Sequence, residues 1–296
     1  MGAGRFAPSP SGELHLGNLR TAILAWLFAR STGRNFLLRI EDLDRARAGS
    51  EEAQIRDLAA IGLDWDGPIE RQTGRLGGFA AAVEDLRARG LLYECFCTRR
   101  DIAEAPSAPH AAPGAYPGTC RDLTEAERAV RRAERPAALR LRAGVGQYTV
   151  TDTLHGQYTA AVDDFVVVRN DGVPAYNLAV VVDDHLQGVD QVVRGDDLLS
   201  SAPRQAYLAT LLGAAVPEYA HVPLVLNREG RRLAKRDGAV TLAALAEAGV
   251  GPETVRNAIL ASLGLPGGPL DGALEAFDPA RLPREPWIHS PLTTDL

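Results

Sequence analysis

A short segment near the N-terminus has the residue types and spacing for phosphate binding. It reads Pro8-Ser-Pro-Ser-Gly-Glu-Leu-His15-Leu-Gly17-Asn18 and lies between a strand-like run and a helix-like run. A turn that leads into a helix N-terminus offers free backbone amides and the helix dipole to an anion. His15 adds a donor for a phosphate oxygen, and Gly17 lets a base or ribose approach the backbone. The alternative is a proline-rich turn with an ordinary helix cap, since a lone His-x-Gly spacing is weak evidence.

A basic segment in the second half of the chain contains its only lysine, Lys235, in a sequence with 31 arginines. The segment reads Arg232-Leu-Ala-Lys235-Arg236-Asp-Gly238. A compact ammonium on a flexible stem is not interchangeable with a planar guanidinium. A lysine kept in an arginine-biased chain therefore indicates a chemical role, such as neutralising a triphosphate from a mobile loop. The competing interpretation is a solvated surface, where clustered charges are usually found.

All three cysteines lie within 26 residues, as Cys95-x-Cys97 and Cys120, around a proline-rich stretch. Three thiolates with one further ligand form the closed tetrahedral site that is typical of structural zinc. A zinc ion would explain how a stretch with little regular structure is held in place. Ordinary buried thiols are the alternative, because free cysteines are often buried without a metal.

The whole chain has the composition of an ordinary globular protein. It has 296 residues, 46% hydrophobic and 24% charged, which suits one large domain or two modest ones. A net charge of −6 argues against a protein that coats polyanions, although a basic groove on an acidic body stays open. There is no membrane-length apolar run and no signal-like N-terminus, and the cysteine usage fits a reducing compartment. We therefore expect a cytoplasmic protein with no membrane partner.

Strand-like and helix-like patterns alternate over the first 90 residues and again after residue 176. We expect strands at 4–7, 36–40, 191–193 and 222–226, and helices at 16–30, 51–61, 79–89 and 198–212. This alternation is typical of an α/β fold with a doubly wound parallel sheet, in which ligands bind at the carboxyl ends of the strands. Both halves of the sheet should therefore contribute residues to one site.

The middle and the end of the chain follow other patterns. Short β-like runs between residues 137 and 169 indicate an insertion that separates the two halves of the sheet. Two helix-like patterns follow the basic segment, at 242–248 and 254–263. From Pro266 onward the sequence is rich in proline and glycine, and we expect no regular structure there.

Four ordered blocks of sequence resemble one known family. They read GRFAPSPSGELHLGNLRTA, RIEDLDRAR, AYNLAVVVDDHLQGVDQVVRGDDLL and HVPLVLNREGRRLAKRDGA. The first and last resemble the HIGH and KMSKS signatures of class I aminoacyl-tRNA synthetases, and all four are similar to the catalytic domain of glutamyl-tRNA synthetase. The resemblance implies a Rossmann-type doubly wound parallel sheet, split by a zinc-containing insertion and followed by a short helical region. The implied segments are a first catalytic half at 1–90 and an insertion at 91–175 that resembles an acceptor-binding domain. A second catalytic half with the KMSKS-like loop follows at 176–240, and a helical region with a tail at 241–296.

The resemblance also implies roles for individual residues. His15 and Asn18 match the HIGH signature and Lys235 matches the second lysine of KMSKS, so these three would serve catalysis. The residues implied for ATP are His15, Gly17, Asn18, Arg232 and Lys235. Those implied for glutamate are Arg5, Phe6, Ala7, Pro8, Ser9, Glu41, Tyr176 and Arg194, with Glu41 receiving the amino group. The implied zinc ligands are Cys95, Cys97, Tyr116 and Cys120, with His110 as the competitor of the tyrosine.

Simpler interpretations of the glutamate-binding residues stay open. Glu41 belongs to an acidic cluster at 41–44 that is compatible with helix capping. Tyr176 is compatible with a core position, and Arg194 with an ion pair to Asp196.

Three positions depart from the family signatures. Ala234 replaces the serine of KMSKS, Arg232 replaces its first lysine, and Asn18 replaces the last histidine of HIGH. Arginine keeps the charge, and an amide still donates to phosphate, so we expect these changes to tune activity without abolishing it.

The length of the chain distinguishes between members of the family. It ends about 60 residues after the KMSKS-like segment, which leaves no room for the helical anticodon-binding region of a discriminating glutamyl-tRNA synthetase. This resembles shorter paralogues that activate L-glutamate with ATP and Mg²⁺ without tRNA, and then esterify it onto queuosine in the anticodon loop of tRNA(Asp). We expect a monomer. The alternatives are a truncated synthetase that charges a tRNA 3′ end, and a non-catalytic regulator that binds tRNA or glutamate.

Overall fold

A computed structural model describes residues 2–104, 116–233 and 240–292. Its strands are β1 (Ala3–Phe6), β2 (Asn35–Ile40), β3 (Glu70–Arg71), β4 (Leu92–Cys95), β5 (Ala138–Leu141), β6 (Gln147–Asp152), β7 (Gly156–Ala161), β8 (Val166–Val168), β9 (Val189–Gly195), β10 (Glu218–Val222), β11 (Val225–Leu226) and β12 (Trp287–Ile288). Its helices are α1 (Leu16–Ser31), α2 (Ser50–Ala60), α3 (Leu76–Ala88), α4 (Arg99–Glu104), α5 (Glu125–Glu134), α6 (Tyr176–Leu186), α7 (Ala202–Leu211), α8 (Leu242–Glu247), α9 (Pro252–Ser262) and α10 (Leu270–Glu275). Within these ranges, none of the helices has the length and apolarity needed to cross a membrane.

Seven strands form one sheet in the spatial order β3-β2-β1-β9-β10-β6-β7. The first six strands in this order pair with their neighbours in parallel, whereas β6 and β7 form an antiparallel hairpin. The chain order reverses between β1 and β9, so the connections that follow these strands leave in opposite directions and open a crevice. The predicted α/β fold with a mostly parallel sheet is confirmed.

Helix α1 is buried around most of its circumference because it lies between two layers. Eleven of its sixteen residues are buried, which is typical of a core helix and not of a surface helix. One side packs on β1 and β9, and the other meets the C-terminal helices, where the rings of Phe28 and Phe277 pack edge to face at 5.2 Å. The N-terminus of this well-packed helix is therefore held firmly at the crevice.

The segment between the two halves of the sheet builds structure of two kinds. Strands β4, β5 and β8 form a separate antiparallel sheet, while the hairpin β6-β7 extends the main sheet beside β10. Helix α5 was not predicted from the sequence. It buries none of its residues, so its sequence lacks the repeating apolar positions that mark a helix packed on a core. Its start does carry a capping box, in which Thr124 and Glu127 bond to each other's backbone, and this was the available signal. The division of the chain into four segments stays a prediction.

Two expected elements differ because of prolines. The strand expected at 222–226 is two strands, β10 and β11, separated at Pro223, which cannot donate a ladder hydrogen bond. The helix expected at 198–212 starts as a 3₁₀ turn at Asp196–Ser201, and the α-helix begins beside Pro203, a residue suited to a first helical turn.

The expectation that no regular structure follows Pro266 is wrong. Helix α10 buries Leu270 and Ala273, three residues apart, among glycines and prolines that hide the pattern in the sequence. Strand β12 pairs in parallel with β11, and the backbone N–H of His289 donates to the carbonyl of Leu226 at 2.8 Å. The C-terminal segment thus packs against the strand that precedes the basic segment.

Buried ion pairs attach helix α6 to the sheet. Arg39 on β2 is fully buried and donates to Asp184 at 2.8 Å, and its Nε lies 3.8 Å from Asp183. Arg5 on β1 donates to the same Asp184 at 3.1 Å, and Arg75 donates to Asp183 at 2.7 Å. Opposite charges and hydrogen bonds together offset the cost of removing these groups from water.

We expect Arg39→Met to lower the free energy of unfolding by about 3–5 kcal/mol, because it removes a fully buried counterion that Asp183, Asp184 and Glu41 share. Urea unfolding of the purified protein measures this. The control is Arg87→Met, since Arg87 is exposed and pairs with Glu84 on its own helix. The control should change stability by less than about 0.5 kcal/mol. Equal losses in both variants would contradict the role given to the buried pairs.

Candidate active site

A cavity of about 610 Å³ opens at the carboxyl ends of β1, β2 and β9. Residues from both halves of the sheet line it, as the strand order predicts. The predicted site residues in its wall are Phe6, Ala7, Pro8, Ser9, His15, Gly17, Asn18, Glu41, Tyr176, Arg194 and Arg232. Most residues that the sequence assigned to nucleotide and amino-acid binding thus surround one space.

His15 caps helix α1 and holds its ring in a defined orientation. Its Nδ1 accepts hydrogen bonds from the backbone N–H groups of Gly17 at 3.1 Å and Asn18 at 3.3 Å, and Asn18 Oδ1 accepts from the backbone of His15. Burial, and then the charge of Arg232, lowers the pKa of His15. The ring is therefore neutral with its proton on Nε2, a donor at the cavity wall. A Cβ on Gly17 would lie 3.1 Å from two atoms of this ring, so a side chain there would crowd it.

Glu41 follows β2 directly and places a carboxylate in the cavity wall. Its backbone N–H donates to the carbonyl of Pro8 at 2.9 Å, and its Oε1 accepts from Arg39 at 3.3 Å. Burial raises the pKa of Glu41, while the charges of Arg39 and Arg5 oppose that shift. Helix α2 begins after Gly49 with no side-chain cap, so the acidic cluster does not cap it. The capping interpretation is wrong for Glu41.

Arg194 is a buried guanidinium whose ion partner is missing from the described residues. Only 6% of its surface is exposed, and no carboxylate in residues 2–104, 116–233 or 240–292 lies within ion-pair distance, Asp196 included. Its Nη1 lies 3.5 Å from the hydroxyl of Tyr176, which is 43% exposed and so is not a core residue. An unpaired buried charge is costly unless a ligand supplies the opposite charge. This arrangement indicates an anion-binding position.

Arg5 does not line the cavity. Its guanidinium is buried and makes two hydrogen bonds to the carboxylate of Asp184, at 3.1 and 3.4 Å. The fork that would bind a substrate carboxylate is therefore already engaged, and Arg5 supports the floor of the site.

The basic segment is described only in part. Arg232 lines the cavity and forms an ion pair with Asp197 on the opposite wall. Ala234 and Lys235 lie outside the described residues, together with the rest of 234–239. Asp197 was not singled out in the sequence, where it is one of two adjacent aspartates.

The three cysteines and Tyr116 form a tight group at the end of strand β4. The sulfur atoms of Cys95, Cys97 and Cys120 lie within 4.8 Å of one another, and Cys97 and Cys120 are 3.6 Å apart. The Tyr116 hydroxyl is 3.4 Å from the sulfur of Cys95 and 3.8 Å from that of Cys97. Zinc–sulfur bonds of about 2.3 Å at tetrahedral angles place two sulfurs about 3.8 Å apart, so this donor set fits zinc. His110 lies outside the described residues.

A second cavity of about 790 Å³ adjoins the first and shares part of its wall. The shared residues are Ser9, Glu41, Arg45 and Tyr176. Its far end is lined by residues 95–98, beside the cysteine group, and by Arg169. The sequence did not single out Arg45 or Arg169. Arg45 has a φ of 58°, a conformation that is uncommon for arginine and that no sequence pattern marks.

Comparisons with known proteins show the family of the chain. The family model for the catalytic domain of class I tRNA synthetases (E and Q) matches residues 3–277, and the chain belongs to this family. It is therefore an enzyme of the ligase type, and the resemblance seen in the sequence is confirmed. A "Glutamyl-Q tRNA(Asp) synthetase" of Nocardia farcinica is 67% identical over 288 residues, which are 97% of this chain and 93% of the relative.

Two further similarities support the assignment. A protein of the same name from Cutibacterium acnes is 55% identical over 89% of this chain and 76% of its own length. The crystal structure of a glutamate tRNA ligase from Elizabethkingia meningosepticum, in complex with its amino acid, superimposes with a TM-score of 0.83 at 30% identity. That match covers 97% of this chain and 67% of the ligase.

We expect Arg194→Met to keep the free energy of unfolding within about 1 kcal/mol of the wild type, because the variant removes a buried charge for which the described part of the chain offers no carboxylate partner. Arg39→Met is the matched comparison, since Arg39 is equally buried but paired. Urea unfolding of both variants measures the difference. A loss for Arg194→Met as large as that for Arg39→Met would make Arg194 a structural residue instead of a binding residue.

Proposed function

We propose that this enzyme activates L-glutamate with ATP in the absence of tRNA and then transfers the glutamate to queuosine in the anticodon loop of tRNA(Asp). The observation that carries the proposal is that Arg194, which has no carboxylate partner among the described residues, lines the same cavity as Glu41 and the N-terminus of α1. One cation, one carboxylate and a phosphate-binding turn are the features that glutamate and ATP require together. The names of the two most similar relatives quoted above support the choice of acceptor.

In the proposed complex, the two ends of glutamate bind opposite charges. The terminal nitrogens of Arg194 receive the side-chain carboxylate as a bidentate pair, for which a guanidinium fork is well suited. The carboxylate of Glu41 receives the ammonium group. Residues 6–9 line the same cavity. The α-carboxylate is then directed toward His15 and the nucleotide.

The first step requires positioning and charge stabilisation more than a side-chain nucleophile. An oxygen of the α-carboxylate forms a bond to the α-phosphorus of ATP, and the bond from that phosphorus to the pyrophosphate oxygen breaks. His15 donates from Nε2 and Asn18 from its amide to phosphate oxygens. Arg232 and Lys235 neutralise the charge that develops on the pyrophosphate. Mg²⁺ bound with ATP supplies further neutralisation of the phosphates.

The second step transfers the activated glutamyl group to a hydroxyl of queuosine. The hydroxyl oxygen forms an ester bond to the glutamyl carbonyl carbon, the bond from that carbon to the AMP oxygen breaks, and the hydroxyl proton is released. The adjoining cavity supports this proposal because Glu41 and Tyr176 belong to the walls of both spaces. An acceptor nucleoside in the second cavity therefore reaches a glutamyl group held in the first.

We also propose that Cys95, Cys97, Tyr116 and Cys120 bind a structural zinc ion. The guanidinium of Arg140 stacks on the ring of Tyr116, 3.6 Å from its centroid, and so fixes the orientation of that hydroxyl. The set offers no open position for chemistry, which supports a structural role. The cytoplasmic location and the monomeric state stay predictions.

Glutamate-dependent ATP–pyrophosphate exchange without tRNA tests the proposed function. We expect exchange by the wild type and a loss of at least about 100-fold in Lys235→Ala, because the lysine acts on the leaving pyrophosphate. The control is Arg231→Ala, an exposed cation of the same segment that pairs with Glu229. If no exchange occurs until tRNA(Glu) is added, a synthetase that charges 3′ ends is favoured. If no exchange occurs with or without tRNA(Glu), but the protein still binds glutamate, a regulator is favoured.

Metal analysis of the purified protein tests the zinc proposal. We expect one zinc per chain, lost in Cys97→Ser because three ligands no longer close the site. Tyr116→Phe should weaken zinc retention against a chelator, and His110→Ala should not. The reverse order for these last two variants would make His110 the fourth ligand. A protein that takes up no zinc at all would contradict the proposal.

A further inference from the structure

Behind Arg194 lies a chain of two buried groups that the reaction as described does not use. The Nε of Arg194 donates to Nε2 of His221 at 3.0 Å, and Nδ1 of His221 lies 2.6 Å from Oδ2 of Asp152. His221 is fully buried, and Asp152 is 1% exposed. An imidazole completely removed from solvent between a guanidinium and a carboxylate requires a physical explanation.

The strand register places these groups side by side. Arg194 on β9 is directly opposite His221 on β10, and directly opposite residues of neighbouring strands point to the same face of a sheet. Asp152 ends β6, where it pairs with Tyr219 of β10. The carboxylate therefore comes from the inserted hairpin, whereas the arginine belongs to the main sheet.

Hydrogen bonds settle where the protons are. Asp152 accepts from the backbone N–H groups of Leu154 at 2.8 Å, His155 at 3.0 Å and His221 at 3.0 Å. Burial alone would raise the pKa of Asp152, but the hydrogen bonds from His221 and from this backbone lower it. Asp152 is therefore an ionised acceptor, and Nδ1 of His221 must carry the proton that lies between them.

The imidazole is neutral in this arrangement. Burial is the main cause that lowers the pKa of His221, and the charge of Arg194 adds to it, while Asp152 opposes the shift. Two further ionisable side chains face His221: the ring of His155 lies 3.0 Å from its backbone carbonyl and adds to the lowering of its pKa, and the ring of Tyr219 stacks on the imidazole. With Nδ1 protonated, Nε2 of His221 carries a lone pair and accepts the hydrogen bond from Nε of Arg194. If Nε2 were protonated, its N–H would point at the N–H of Arg194 Nε.

We propose that His221 and Asp152 are positioning residues that set the orientation of the Arg194 guanidinium and thereby the affinity of the site for glutamate. The Nε of Arg194 is held by His221, which fixes the plane of the fork. Nη1 donates to the Tyr176 hydroxyl at 3.5 Å and Nη2 to the carbonyl of Leu198 at 3.4 Å, and each nitrogen keeps a second N–H for the ligand. A guanidinium fixed before binding loses less rotational freedom when the carboxylate arrives. The inference rests on the proposed binding of glutamate by Arg194.

Two substitutions of His221 separate positioning from packing. In His221→Gln the amide oxygen reaches the place of Nε2 and still accepts from Arg194. In His221→Asn the shorter amide reaches the place of Nδ1, so it keeps the donor to Asp152 and leaves Arg194 without its acceptor. We expect His221→Asn to raise the KM for glutamate about 10–100-fold, by analogy with the loss seen when a residue that orients a metal ligand is removed. His221→Gln should raise it far less.

The exchange assay gives a second readout, because a positioning role predicts a split between kinetic parameters. The KM for ATP should not change in His221→Asn, and kcat should stay within about threefold. Tyr219→Phe is the matched control, since Tyr219 is buried on the same strand and its ring stacks on His221 at 5.7 Å. Equal effects of His221→Asn and His221→Gln on both KM values and on kcat would overturn the proposal in favour of packing.

Nitrogen NMR of ¹⁵N-histidine-labelled protein tests the arrangement without any activity. The resonances lost in His221→Gln identify His221, and we expect a protonated Nδ1 and an unprotonated Nε2 that shifts in Arg194→Met. A protonated Nε2 would overturn the proposal. If the wild type shows no glutamate-dependent exchange, the proposed function fails, and the tautomer and its response to Arg194→Met still decide whether the chain of contacts exists.

Discussion

Charges buried at the crevice between β1 and β9 are the constraint on which the rest of this structure depends. Three arginines lie there almost completely removed from water: Arg5, Arg39 and Arg194. Two of them pair with Asp184 of helix α6, which follows the insertion, so these ion pairs also join the first half of the sheet to the second. The third meets a neutral imidazole instead of a carboxylate. This difference separates arginines that hold the fold from the arginine that is available to a ligand.

Local patterns in the sequence predicted the parts of the site that depend on local structure. The turn before α1, its glycine and its capping histidine are neighbours in the chain, and the structure places them as the spacing indicates. The arginines show where such reasoning ends. Arg5 and Arg194 are equally suited by type to bind a carboxylate, and Asp184, which engages one of them, lies 179 residues from Arg5 in sequence. Only the tertiary fold decides which arginine is already paired. His221 was present in a quoted block, yet nothing near it in sequence indicates that Asp152 lies beside it.

The insertion contributes to both cavities through rigid attachments. Its hairpin pairs with β10 and supplies Asp152 to the chain of contacts behind Arg194. Its other sheet carries residues 95–98 to the wall of the second cavity. Under the proposed function, a zinc ion at the cysteine group would stiffen the wall against which the acceptor nucleoside lies, at a distance from the bonds that change. The insertion then supports amino-acid binding through one attachment and acceptor binding through the other.

Helix α1 connects the two signature segments. Its Arg20 is 1% exposed and has a pKa lowered to about 10 by burial, and it donates to the carbonyl of Pro223 at 2.7 Å and to Ser262 of α9 at 3.2 Å. The backbone N–H of Leu16 donates to Val240 at 2.8 Å, just beyond the basic segment, and Leu226, just before that segment, is paired with β12. Both flanks of the basic segment are therefore attached to the helix that begins at His15 or to the C-terminal layer packed on it. The described flanks of the basic segment are thus joined to α1 and to the layer packed on it, although more than 200 residues separate the two signatures in the sequence.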